Sequence, residues 1–159
     1  MPPKSRAVII AENKAAYYHY TLLAKFEAGL KLTGAEVKSA KLGQVHFKQS
    51  YISLSTALPL KAWLKNFYIG PYQPAGSAIK TYKPMRPREL LLTNKELTYL
   101  SGKTQAKGLT IIPLILYTTD SFLKLTIALA SGKSKFDKRN QIKKRELDRE
   151  TRQHFKQTR

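Results

Sequence analysis

The chain has 159 residues, enough for one domain with a single core and some appendages but not for two domains of ordinary size. Hydrophobic residues make up 42% and aromatics 10%, which excludes a wholly disordered chain. With 29 Lys and Arg against 10 Asp and Glu the formal charge is +19, and a chain that repels itself this strongly needs a polyanion, nucleic acid first and an anionic membrane surface second. The absence of cysteine excludes disulfides and thiolate metal sites. The longest apolar run, Leu109 to Tyr117, is interrupted by Thr110 and Pro113 and is far short of the roughly 20 residues a membrane helix needs. No signal-peptide stretch follows Met1–Arg6, so cytoplasmic residence is expected.

In chain order, the first strong pattern is Tyr18 to Leu32, where the even positions Tyr18, Tyr20, Leu22, Ala24, Phe26, Ala28, Leu30 and Leu32 are apolar and the odd ones mostly polar. Such alternation predicts one half-buried strand, bent at Gly29. Thr33-Gly34-Ala35-Glu36 is a capping box that opens a short helix running to about Gly43. Tyr51–Leu54 and Ala62–Ile69 are shorter strands, and Gln73–Arg88, with its prolines, reads as a surface loop. Thr93-Asn94-Lys95-Glu96 opens a second helix with Leu97 and Leu100 on its buried side. Ile111–Tyr117 and residues 123–130 form a hairpin about a turn at Thr118–Ser121, with Leu123, Leu125, Ile127 and Leu129 inward and Lys124 and Thr126 outward. The order fits a mostly β fold with short α helices, a small antiparallel barrel like the oligonucleotide-binding barrel, over residues 1–132.

Residues 133–159 differ in kind, with 11 Lys and Arg against 4 Asp and Glu and no Gly or Pro. Large apolar side chains such as Ile142 and Leu147 make too thin a stripe to anchor a helix, so this basic tail is expected to be disordered when free and helical when bound.

Catalysis needs converging polar groups, and the sequence supplies none. His19, His46 and His154 sit in separate elements without metal-ligand spacing, and no phosphate-binding glycine loop occurs. Glu146, Asp148 and Glu150 lie among arginines and read as solvated ion pairs. No enzyme activity, metal or cofactor is expected. What remains is a mixture of cations and aromatics suited to RNA, whose phosphates take the cations and whose unpaired bases stack on rings. Tyr17, Tyr18 and Tyr20 beside Asn13 and Lys14 form such a cluster, although Tyr18 and Tyr20 on the apolar parity serve equally as core. Glu27 and Lys124 project outward, either as RNA contacts or as an ordinary ion pair and a solubilising lysine.

Ile10-Ala11-Glu12-Asn13-Lys14, Phe26-Glu27-Ala28-Gly29-Leu30 and Leu32–Ser39 resemble the opening half of the small protein B (SmpB) family, the SsrA-binding proteins. Arg86–Leu92, Lys124, Gly132-Lys133 and Asp137-Lys138-Arg139 resemble its later half, so the likeness spans nearly the whole chain in order. The resemblance implies a barrel that grips the tRNA-like domain of transfer-messenger RNA and carries it to ribosomes stalled on truncated messages, the process of trans-translation. It implies RNA contacts at Asn13, Lys14, Tyr18, Tyr20, Glu27, Leu91, Leu92 and Lys124. It also implies a ribosome-binding tail that meets small-subunit ribosomal RNA through Lys133, Asp137, Lys138, Arg139, Lys143, Lys144 and Arg145. Ala35 stands where the family usually has tryptophan, Tyr18 where histidine or another aromatic is frequent, and Ser131 and Ser134 where it is commonly basic.

The partners expected are therefore transfer-messenger RNA and the ribosome, with no membrane, and the protein is expected to be a monomer. A generic basic RNA- or ribosome-binding protein is the alternative. A membrane-surface binder would need a broader apolar face than the tail offers.

Overall fold

A computed structural model of the chain describes residues 7–120 and 122–157. The hairpin is its longest feature: β8 (Leu109–Thr119) and β9 (Phe122–Gly132) pair along their whole length. The other edge of β9 carries β2 (Tyr20–Leu30). From β2 the sheet continues through β7 (Arg88–Leu91), β5 (Ala62–Lys65) and β4 (Tyr51–Leu54). Pairing of Ile52 with Ile111 returns the ring to β8 and closes a barrel. Ile111 uses only one end of that β8 edge, so β1 (Ala7–Glu12) pairs along the rest, opposite Ile115–Thr119. Closure leaves few free strand edges, the usual answer to a strand's unpaired N–H and C=O groups.

The inward positions predicted from alternation do fill the barrel. Ala28, Leu123, Leu125, Ile127 and Leu129 are buried together with Phe47, Ile52, Leu64, Phe67 and Leu116. α3 (Asn94–Thr104) adds Leu97 and Leu100 to that core, and α2 (Gly34–Lys41) adds Ala40. Both predicted capping boxes are complete: Thr33 accepts from the Glu36 N–H while Glu36 accepts from Thr33, and Thr93 and Glu96 do the same. α2 stops at Lys41, short of the expected Gly43, which instead holds φ +78 just past the end, a left-handed position that glycine occupies without strain.

The strand expected from Tyr18 to Leu32 is corrected in two ways. Lys14–His19 is a helical turn, α1, because the Asn13 carboxamide accepts from the Ala16 N–H and starts it. A bulge then sets Leu22 opposite Ala130 but Ala24 opposite Leu129, so one extra residue, Leu23, reverses the facing. Tyr20 and Leu22 therefore leave the barrel core and join Ala16, Ile112, Leu114, Ala128 and Ala130 in a second, smaller apolar cluster between α1 and the β2, β8 and β9 strands. A matching shift between Pro113 and Ile115 keeps β8 in step.

Elsewhere the predicted strand Ala62–Ile69 is two: Asn66, with φ 55, turns the chain, and β6 (Tyr68–Ile69) pairs with β3 (Val45–His46). Asparagine tolerates that conformation better than most residues. Of the predicted turn, Asp120 has φ 51 and Ser121 lies outside the described residues, as does Met1–Arg6. The region read as a loop, Gln73–Arg88, contains two short 3₁₀ turns within Gln73–Thr81, broken at Gly76 with φ 60, and ends on a residue that is anything but peripheral.

Arg88 is fully buried. Its guanidinium meets Glu36 Oε1 at 2.9 Å and donates to the carbonyls of Phe67 at 2.6 Å and Pro84 at 2.8 Å. Arg86 binds both oxygens of the same carboxylate, and the Tyr82 hydroxyl donates to the Ile69 carbonyl at 2.9 Å. Burial works to raise Glu36, but the Arg86 hydrogen bond, the Thr33 N–H and the charges of both arginines outweigh it and hold the carboxyl below its ordinary range. One glutamate thus caps α2 and pins the Gln73–Arg88 segment to the barrel.

α4 (Lys135–Gln157) continues from β9. Its start is another capping pair, with the Ser134 hydroxyl accepting from the Asp137 N–H at 3.1 Å and Asp137 Oδ2 accepting from the Ser134 N–H at 3.2 Å. A small polar residue at position 134, where a cation is common in the resembling family, has a local use as a helix cap.

Candidate nucleic-acid interface

β7, β2 and β9 run side by side, and Gly29 sits between Leu91 on one neighbour and Lys124 on the other. A Cβ at position 29 would lie 3.3 Å from the Leu91 Cβ, so glycine lets the Leu91 side chain pack close over the strand. Two residues back on the same face, Glu27 places its carboxylate 3.7 Å from the Lys124 ammonium. Both are about half exposed, at 52% and 43%, so the pair is solvated and free to exchange partners. Leu91, 56% exposed, completes a patch of anion, cation and apolar side chain on one outer surface.

Tyr117 lies opposite Lys124 on β8, and its hydroxyl is buried without a hydrogen-bond partner among the described residues. Burial, and after it the Glu27 carboxylate, push that phenol well above its usual range and keep it a donor.

The other end of the outer face is built on α1. Asn13 is tied down on both sides, donating from Nδ2 to the Pro113 carbonyl at 2.9 Å and accepting from Ala16 N–H at 3.3 Å. It shapes the turn from which exposed Lys14 projects. Asn13, Lys14, His19 and Tyr20 line a cavity of about 540 Å³, whose far wall is Phe47–Ser50. Tyr18, half-buried on α1, packs edge-on against His19 with ring centres 5.0 Å apart.

Beneath α1 the tail is attached. The Lys133 N–H donates to the His19 carbonyl and its ammonium to the Tyr17 carbonyl, both at 2.9 Å. One face of α4 leans back the same way: Lys138 and Gln141 are half-buried, and the Arg145 guanidinium lies 5.7 Å from the Tyr18 ring centre. Arg139, Lys143 and Lys144 are exposed. Asp137 belongs to the helix cap, and its bonds from Ser134 hold it below the ordinary carboxylate range.

A family profile described as "SmpB protein" matches residues 10–157. The chain belongs to the SmpB family. An SsrA-binding protein of Sulfurihydrogenibium sp. is 43% identical over 148 residues, covering 93% of this chain and 94% of that protein. Another, from Aquifex aeolicus, is 43% identical over 157 residues, with 98% and 97% covered. A solved structure presented as "tmRNA-SmpB: a journey to the center of the bacterial ribosome" is similar with a TM-score of 0.63 and 39% identity, over 79% of this chain and 85% of that one.

In this SmpB-family chain, the eight barrel residues singled out from the sequence divide three ways. Glu27, Leu91 and Lys124 converge around Gly29, while Asn13, Lys14, Tyr18 and Tyr20 gather on and beside α1. Leu92 joins neither group, because it is partly buried against the barrel core. Lys133, the first residue of the expected tail, donates to α1 through both its backbone N–H and its ammonium. Sequence reasoning missed Tyr117, the Phe47–Ser50 wall and the cation–π contact of Arg145 with Tyr18. The wall lies more than 30 positions along the chain from Asn13, and no local pattern reports such a neighbour. Among the described residues no three His, Asp or Glu side chains gather as a metal site, and no helix is long and apolar enough to cross a membrane.

Proposed function

We propose that the chain is a non-catalytic RNA-binding adaptor of the cytoplasm, which grips the tRNA-like domain of transfer-messenger RNA and brings it to stalled ribosomes for trans-translation. The relatives named for SsrA binding and the ribosome-bound structural neighbour support this reading. The observation that carries it is the convergence of Glu27, Leu91 and Lys124 around Gly29 on an open sheet face. Lysine there neutralises phosphate, the carboxylate accepts from base amino groups or 2′-hydroxyls, and leucine covers an apolar sugar or base face. The α1 tyrosines extend the surface toward stacking contacts.

The basic helix beyond Ser134 is proposed to act on the ribosome and to gain much of its order there, since its described residues bury little apolar surface. Deleting residues 135–159 while keeping Lys133 is expected to preserve binding to the tRNA-like domain and to abolish peptide tagging on stalled ribosomes. Gel shifts with bulk tRNA provide the comparison. Equal affinity for both RNAs, or full tagging by the truncated protein, overturns the reading in favour of a generic basic RNA binder.

A further inference from the structure

A second cavity, of about 440 Å³, opens beside α2, away from the Glu27–Lys124 patch. Its size is within the range of small-ligand sites, about 300 to 1,000 Å³. Ala35, Pro71, Tyr72, Ala75, Ile79 and Tyr82 give it apolar and aromatic walls. Cations surround it: Lys83 and Arg86 line it, and the Lys38 ammonium stands 5.5 Å from the Tyr72 ring centre. The acid that lines it, Glu36, is 1% exposed and already neutralised by Arg86 and Arg88. Arg86 directs three N–H groups at Glu36 and the Pro87 carbonyl, which leaves two of a guanidinium's five donors without an acceptor among the described residues.

The combination is an apolar cavity with two tyrosines in its walls, cations at its edge, and an arginine in its lining that keeps donors to spare. An anionic chain that carries aromatic groups matches each part, and in RNA those groups are bases on a phosphate backbone. We propose that this cavity receives one unstacked nucleobase of single-stranded RNA, stacked on Tyr72, with flanking phosphates on Lys38 and Lys83. The proposal rests on RNA being the partner class, but it uses a surface separate from the one assigned to the tRNA-like domain. It gives the barrel two RNA contacts, one for a folded RNA and one for an unpaired strand.

The slot is held open by the Glu36 network, so substitutions there would confuse binding with folding. Tyr72→Ala removes the stacking wall, and Ala35→Leu fills the space from α2 with a good helix former. Labelled hexa-adenylate binding to the full chain, read by fluorescence anisotropy, is expected to weaken about tenfold in each variant, the loss of one stacked base. Circular dichroism melting establishes that each is folded; should Tyr72→Ala unfold, Ala35→Leu decides. Affinity for the tRNA-like domain is expected to stay unchanged in both. Hexa-adenylate binding that matches wild type in the folded variants overturns the slot, as does no binding to wild type. Displacement of hexa-adenylate by a tryptophan tripeptide but not by AMP also overturns it, in favour of a protein occupant. Failure of wild type to bind the tRNA-like domain strikes the function proposed above instead.

Discussion

The Arg145 guanidinium stands 5.7 Å from the centre of the Tyr18 ring, so a residue of the tail helix lies over an aromatic of α1, at one end of the candidate interface. Both groups are polar enough to prefer other partners when RNA arrives: a phosphate for the arginine, a base for the ring. The contact is a solvated cation–π pair worth about 0.5 to 1 kcal/mol.

Arg145→Ala is accordingly expected to leave the melting temperature of the barrel within a degree or two while speeding amide exchange in α4. Hydrogen exchange read by mass spectrometry separates the two regions. Wild-type α4 amides that exchange as slowly as those of β8 and β9 would show that the helix owes its order to something stronger.

Glu36 is the residue on which stability at low pH turns. Its folded carboxyl titrates below its ordinary range, so between that value and the unfolded one, about 4.3, the unfolded chain binds a proton that the folded chain does not. The stabilisation is complete above that window and is lost as pH falls through the folded value. Glu36→Gln leaves Arg88 buried without a counter-charge, at a cost of about 3 to 5 kcal/mol. Urea titrations from pH 3 to 7 are expected to show a large loss at neutral pH and a shallower acid slope in the variant.

Lys124→Ala is expected to weaken binding of the tRNA-like domain by about 1 kcal/mol and to lower the salt dependence by roughly one phosphate contact. Folding stability is expected to change by less than about 0.5 kcal/mol, because the Glu27 pair is solvated. Unchanged affinity and salt slope would reduce Lys124 to a solubilising side chain.

At Gly29 the test is steric. A single methyl meets the Leu91 Cβ at 3.3 Å, which a shift of a few tenths of an ångström relieves, whereas valine adds two further methyls beside the same side chain. Gly29→Ala is expected to cost at most about 1 kcal/mol of stability and Gly29→Val more. Both should weaken RNA binding, read by filter retention, because they displace Leu91.

Much of this arrangement was legible in the sequence because it depends on local rules. Alternation in Ala24–Ala28 and Leu123–Leu129 reported which residues face the core, and both Thr-x-x-Glu boxes marked helix starts that the structure completes. The strand Tyr51–Leu54 has the predicted limits. Where the reading failed, the cause was a local cap or bulge that the alternation masks, or a neighbour far along the chain. Tyr18 and Tyr20 matched the alternation, yet the Asn13 cap and the bulge at Leu23 put one on a helix and the other outside the barrel. Glu36 looked like a capping residue and is one, but nothing within Gln73–Arg88 announced that Arg88 returns to neutralise it inside the protein. At the interface, Glu27 and Lys124 were identifiable as outward residues, while their meeting over Gly29 required the register of three strands.

Lys133 holds the start of the tail by two bonds to α1, and 23 helical residues follow almost at once. At 1.5 Å per residue these make an arm of about 34 Å. A turn of α1 by a single degree moves the far end of that arm by about 0.6 Å. Once the tail helix is ordered, its base is anchored on α1, so occupancy of the α1 tyrosines and the direction of the basic arm are expected to be coupled.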